Sequence, residues 1–157
     1  MKLYYAPGAC SLASHIALHE TGLPFEIEKV DFATKKTASG EDFNQINPKS
    51  YVPTLKLDDG SILTEGGAIL QYIADQQPDS GLAPKAGTME RYRLQEWLTF
   101  IGTEIHKTFS PMFNKAASEE VKTNSRNRLA LRLGYVETQL QNKPYLMGDI
   151  FSVADAY

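Results

Sequence analysis

Cys10 is the only cysteine among 157 residues, and it sits between a Pro7-Gly8 turn and the run Ser11-Leu12-Ala13-Ser14-His15. Upstream, Leu3-Tyr4-Tyr5 are strand formers, so the segment reads as strand, tight turn and helix start, with Cys10 and Ser11 at the helix N-terminus. Free backbone N–H groups and the positive end of the helix dipole gather at such a point. A thiol placed there ionises readily, and the thiolate is the nucleophilic form. The alternative is a small buried hydrophobe, the common fate of a free cysteine. Further on, Glu65-Gly66-Gly67 opens a second helix. Its glycines expose N–H groups suited to an anion, and Glu65 suits a cation. Thr64 and Glu65 equally well cap that helix. His106, near the end of a later helix, suits proton transfer near neutrality or simply faces solvent. His15 reads as a packing residue of the first helix.

Several elements must hold these groups in place. Ser11 to Glu20 carries Leu12, Ala13, Ile16 and Ala17 at helical spacing and stops at Gly22 and Pro24. Phe25 to Phe32 follows as a strand, with Phe25 and Ile27 alternating against Glu26 and Glu28. This βαβ order predicts parallel strands and a right-handed crossover. From Ala33 to Lys49 the signals indicate loop, with room for a short helix. Pro53 opens the strand Thr54-Leu55-Lys56-Leu57, since proline cannot donate within a ladder. Val52 beside it offers backbone groups to an extended ligand. Asp58-Asp59-Gly60 then turns an antiparallel hairpin into Ile62-Leu63-Thr64.

Pro78 to Gly87 reads as an interdomain linker, after which the chain becomes helical. Thr88 caps a helix predicted to run to Lys107, and Ser118 to Gln141 gives another, with Leu129, Leu133, Val136 and Leu140 inward. Trp97, Phe100 and Phe109 are either core or interface residues. Ser152-Val153-Ala154-Asp155 announces a capped helix, with Phe151 as its hydrophobic staple. A net charge of −3 and the lack of a basic run point away from nucleic acid. Short apolar runs point away from a membrane, and a lone cysteine with no signal peptide points to the cytoplasm.

Together these motifs resemble the soluble glutathione transferases. The β-α-β, Val52-Pro53, β-β-α order resembles the thioredoxin fold, with Pro53 at its cis-proline. Glu65-Gly66-Gly67-Ala68-Ile69 resembles the family's glutathione-binding turn. Ala6-Pro7-Gly8-Ala9-Cys10-Ser11-Leu12-Ala13 with Glu104-Ile105-His106-Lys107 resembles the bacterial beta class. The resemblance implies an α/β thioredoxin-like N-terminal domain (1–80), a linker (81–87) and an all-α C-terminal domain (88–157).

It also implies glutathione as co-substrate, an electrophilic small molecule as second substrate, no prosthetic group, no metal, and a homodimer. Cys10 then meets the glutathione sulfur, even as a mixed disulfide, and Ser11 is a second candidate for stabilising the thiolate. Val52, next to Pro53, pairs with the cysteinyl part. Glu65 and Gly66 hold the γ-glutamyl end, and Lys35 holds the glycine carboxylate. His106 lies near the thiol, with Thr103 and Glu104 bordering the site; Thr103 and His106, one turn apart, are expected to share a helix face.

Thr99 and Gly66-Gly67 depart from the family's usual Asn and Ser. The family continues for several helical turns beyond the Asp155 motif, so the sequence is expected to be a piece of a longer chain. Two other activities fit the same residues: a single-cysteine, glutathione-dependent thiol-disulfide oxidoreductase, and a non-enzymatic scaffold or regulator.

Overall fold

The N-terminal strand formers build β1 (Lys2–Tyr5) in the computed structural model, which describes residues 1–157. Next come α1 (Ser11–Thr21), β2 (Glu26–Asp31), β3 (Lys36–Thr37), α2 (Phe43–Ile46), β4 (Thr54–Lys56), β5 (Ile62–Thr64) and α3 (Gly66–Gln76). The sheet order is β3-β2-β1-β4-β5. β1 and β2 run parallel with Leu3 opposite Ile27, while β1 and β4 run antiparallel with Leu3 opposite Leu55. The Asp58-Asp59-Gly60 hairpin joins β4 to β5, with Gly60 at φ +86°, a conformation open chiefly to glycine. The expected βαβ and hairpin halves are therefore both present.

These elements belong to a unit formed by Met1–Ala83 with Ala156–Tyr157. Strand alternation sends Tyr4 and Leu3 to opposite faces of the sheet. Tyr4 packs with Val30, Val52 and Phe43, its ring 5.8 Å from that of Phe43. Leu3 and Leu55 are fully buried, as are Leu18 of α1 and Ile69, Leu70 and Ile73 of α3, and the two helices pack on each other. Each such side chain contributes roughly 1.5–3 kcal/mol by leaving water. Leu12 is 59% exposed, so it lies off the buried stripe of α1.

Two expectations fail in this unit. The alternation in β2 is inverted: Ile27 is 45% exposed, whereas Glu28 is buried beside Val30. The carboxylate is tolerated there because Lys2 Nζ (3.0 Å) and the Ser39 hydroxyl (2.5 Å) both donate to it. Strand β3 was not expected within the 33–49 loop. It forms because Val30 pairs with Thr37, a partner that periodicity over two residues cannot reveal.

The second unit is Pro84–Asp155. It contains α4 (Met89–Phe100), a π-helical stretch (Ile101–His106), α5 (Lys107–Phe113), α6 (Glu119–Leu140) and most of α7 (Val153–Ala156). Thr88 caps α4 by accepting from Arg91 N–H at 3.2 Å, and Ser118 caps α6 through Val121 N–H. The helix expected to end at Lys107 instead widens at Ile101 and continues to Phe113. Of the inward positions expected on α6, Leu129 is buried, whereas Leu133 is 46% exposed. The capping box before α7 is formed: Asp155 accepts from Ser152 N–H (2.9 Å), Ser152 hydroxyl (2.7 Å) and Leu146 N–H (2.7 Å). No helix is long and apolar enough to cross a membrane.

Candidate functional site

Cys10 is the N-cap residue of α1, half-buried and in no disulfide, and its Sγ lies 3.3 Å from the Val52 carbonyl oxygen. The turn that delivers it is locked by Ser11. That hydroxyl is buried, accepts from Ala6 N–H at 3.2 Å and donates to Ala6 C=O at 3.3 Å. Ser11 thus works on the Pro7-Gly8 turn, and both of its hydrogen-bonding functions are spent there. His15 lies on the flank of α1, its Nε2 3.1 Å from that of His19, with both rings edge-on to Phe25. It is a packing residue, as expected.

Val52 and Pro53 are buried, joined by a cis bond, and lead directly into β4. Their loop is tied down by Asn47, which is 1% exposed. Its amide donates to Tyr51 C=O (2.9 Å) and to the Thr54 hydroxyl (2.8 Å), and its oxygen accepts from Lys49 N–H (3.0 Å). The same loop brings Lys49 Nζ and the Tyr51 hydroxyl each to 2.6 Å from Glu65 Oε1. The hydrogen bond to Glu65 is the main reason that both the ammonium and the phenol titrate above their usual values.

Glu65 makes no side-chain cap bond to α3, so its carboxylate stays at the rim, where it already gathers a cation. α3 begins at Gly66, and the first N–H groups of a helix have no partner within it. Lys35 Nζ donates to Ser50 C=O at 3.2 Å and lies 5.4 Å from the Phe32 ring centre. The chain has three non-glycine residues at positive φ: Lys35 (+56°), Ser50 (+61°) and Glu65 (+72°). Such conformations cost roughly 1–3 kcal/mol each and concentrate at functional sites. Here two are proposed ligand residues and the third accepts from one of them.

This unit therefore brings Cys10 to Val52, and Lys49 and Tyr51 to Glu65. Asn47, Lys49 and Tyr51 were missed in the sequence. Lys49 and Tyr51 flank the Val52-Pro53 motif, which was the available signal, but nothing local pairs them with Glu65. Tyr157 was also missed. A β-carbon on Gly66 would stand 3.6 Å from its hydroxyl.

In the second unit, Thr103, Glu104 and His106 all lie on the π-helical stretch, a rare feature that is frequent at functional sites. The wider turn undoes the expectation that Thr103 and His106 share a face: Thr103 is exposed and donates to Thr99 C=O at 2.9 Å, while His106 is half-buried. Burial, followed by the nearby Lys107 charge, lowers the His106 pKa and favours the neutral ring that accepts a proton. The Glu104 carboxylate is held by Arg128 (2.9 Å) and Arg132 (2.8 Å) of α6. Those hydrogen bonds, that to Arg128 first, lower its pKa. Glu104 thus joins two helices of this unit. A groove of about 840 Å³ also opens in this unit, lined by Trp97, Phe100, Leu131 and Tyr135 together with charged Arg93 and Glu96.

Residues 1–75 match the profile of the glutathione S-transferase N-terminal domain, and residues 100–157 that of its C-terminal domain. The chain belongs to the glutathione S-transferase family. The transferase GstA of Escherichia coli O157:H7 is 47% identical over 157 residues, spanning all of this chain and 78% of that protein. BphK, a bacterial transferase solved as a ternary complex, is 60% identical with a TM-score of 0.98, covering 100% of this chain and 78% of its own. A sphingomonad transferase solved with glutathione is 52% identical, with a TM-score of 0.97 and the same coverage. The similar structures include a bacterial beta-class transferase. The thioredoxin-like domain and following helices are thus the architecture of this family.

Proposed function

We propose that this chain binds glutathione along the edge formed by Cys10, Val52, Lys49 and Glu65 and joins it, through its sulfur, to electrophilic small molecules. The observation that carries this reading is the Cys10 thiol at the N-terminus of α1, 3.3 Å from the Val52 carbonyl. Glutathione is the ligand of the sphingomonad relative. It carries two carboxylates and one ammonium, and the edge offers partners for each. Lys35 receives the glycine carboxylate, and the α3 N-terminus receives the γ-glutamyl carboxylate. Glu65 receives the ammonium, sharing its oxygens with Lys49 and Tyr51.

Val52, next to Pro53, pairs through its backbone with the cysteinyl part, so the ligand sulfur arrives beside Cys10. N–H groups at the start of α1 stabilise negative charge on sulfur. In conjugation, the glutathione thiol loses its proton and the thiolate forms a C–S bond as the leaving group departs with its electron pair. The resemblance puts His106 near the thiol, and its chemistry as a mostly neutral imidazole makes it the proposed proton acceptor; Thr103 and Glu104 are bordering residues on the resemblance alone. With oxidised glutathione, the Cys10 thiolate attacks the disulfide, forms a mixed disulfide, and expels a glutathione thiolate that takes up a proton. The proposed setting is cytoplasmic, and the proposed assembly is a homodimer.

Intact mass without reductant, after exposure to oxidised glutathione, tests the site. One glutathione adduct, reversed by reductant and absent in Cys10→Ala, is expected, together with conjugation of an aryl halide. An adduct with negligible conjugation would make the chain a thiol-disulfide oxidoreductase. Calorimetry showing no glutathione binding would leave only a scaffold.

A further inference from the structure

A serine at position 66 would place a hydroxyl at the start of α3, but glycine stands there and a distant residue occupies that space. A β-carbon on Gly66 would lie 3.6 Å from Cε2, Cζ and the hydroxyl oxygen of Tyr157, and these are the three atoms nearest to it. The phenol therefore turns its polar tip, not its ring edge near Cβ, towards the helix start. Tyr157 groups with residues 1–83, the unit that holds Cys10, Glu65 and Gly66.

Burial raises the Tyr157 pKa, and negative charge at Cys10 and at Glu65 raises it further. The phenol is thus within electrostatic reach of the proposed nucleophile and of the proposed ammonium acceptor. It stays protonated, and so a donor, at pH values where a thiol ionises.

We propose that Tyr157 is a ligand-binding residue of this site, its hydroxyl donating to the γ-glutamyl carboxylate in place of the serine hydroxyl that position 66 lacks. This rests on the glutathione reading above. A carboxylate at the N-terminus of α3 meets the N–H groups of Gly66 and Gly67, but these leave lone pairs on its oxygens unfilled. A charge-assisted O–H donor fills one of them and fixes the orientation of the γ-glutamyl arm. The rival role is a packing plug over the glycines, and Tyr157→Phe separates the two because it keeps the ring and removes only the hydroxyl.

Steady-state conjugation kinetics are measured for the wild-type chain and Tyr157→Phe, with glutathione and with the dipeptide Cys-Gly, which lacks the γ-glutamyl arm. The expected result is a KM for glutathione raised about tenfold, the value of one hydrogen bond to a charged group. kcat should stay within about twofold, and kcat/KM for Cys-Gly should be unchanged. A glutathione KM that does not move, or an equal loss with Cys-Gly, overturns the assignment and leaves Tyr157 a packing residue. Wild-type chain that fails to bind glutathione overturns the underlying reading instead.

Discussion

Glu65 projects its carboxylate from a backbone at φ +72° and holds both Lys49 and Tyr51 at 2.6 Å. A non-glycine residue in that conformation is costly for the fold, which suits a role outside packing. Glu65→Gln keeps the shape but loses the charge that an incoming ammonium would meet. KM for glutathione should rise about tenfold, with a much smaller change in kcat, because the interaction positions the ligand rather than the reacting sulfur. The ion pair is exposed, so the melting temperature should barely move. A fallen melting temperature with unchanged KM would show Glu65 to be structural. Ser11 presents the opposite case, since its hydroxyl both accepts from and donates to the Ala6 backbone and so supports the turn.

At the scale of elements, the decisive piece is the turn between β1 and α1. Ser11→Ala removes a buried donor and acceptor from the Ala6 backbone and should destabilise the chain by about 1–3 kcal/mol in denaturant unfolding. A change below about 0.5 kcal/mol would mean that the turn holds without it. The Asn47-anchored loop does the same work for Val52, and the two supports converge because α1 and β4 both flank β1. The π-helical stretch serves the second unit. It carries Thr103, Glu104 and His106, and the two arginines of α6 clamp it through Glu104. Ring contacts between Trp97 and Tyr135 and ion pairs from residue 104 to residues 128 and 132 make α6 antiparallel to the preceding helical run.

For the molecule as a whole, the buried Glu28 is expected to contribute to acid stability. Burial alone would raise its pKa, but hydrogen bonds from Ser39, Thr37 and Lys2 outweigh that and bring it to about 2. A folded value below the unfolded one means that stability is fully present above pH ~4.5 and is lost as pH falls towards about 2. Glu28→Gln should flatten that acid limb, a difference on the order of 2 kcal/mol in unfolding free energy between pH 5 and pH 2. An unchanged limb would assign acid unfolding to other carboxylates. The sequence by itself determined the features that a single turn of chain encodes. These are the Pro7-Gly8 turn that places Cys10 on α1, the Asp59-Gly60 hairpin, the glycines opening α3, the Thr88 and Ser118 caps, and the Asp155 capping box. Each depends on residues within about four positions of one another, where residue type and spacing are sufficient. Only the tertiary structure decided which face of β2 is buried, that β3 exists, that the long helix widens at Ile101, that Lys49 and Tyr51 meet Glu65, and that Tyr157 lies over Gly66. Those outcomes depend on partners distant along the chain, such as Ser39 for Glu28, Glu65 for Lys49 and Gly66 for Tyr157. Sheet order and chain closure bring them together, and no local pattern records that they meet.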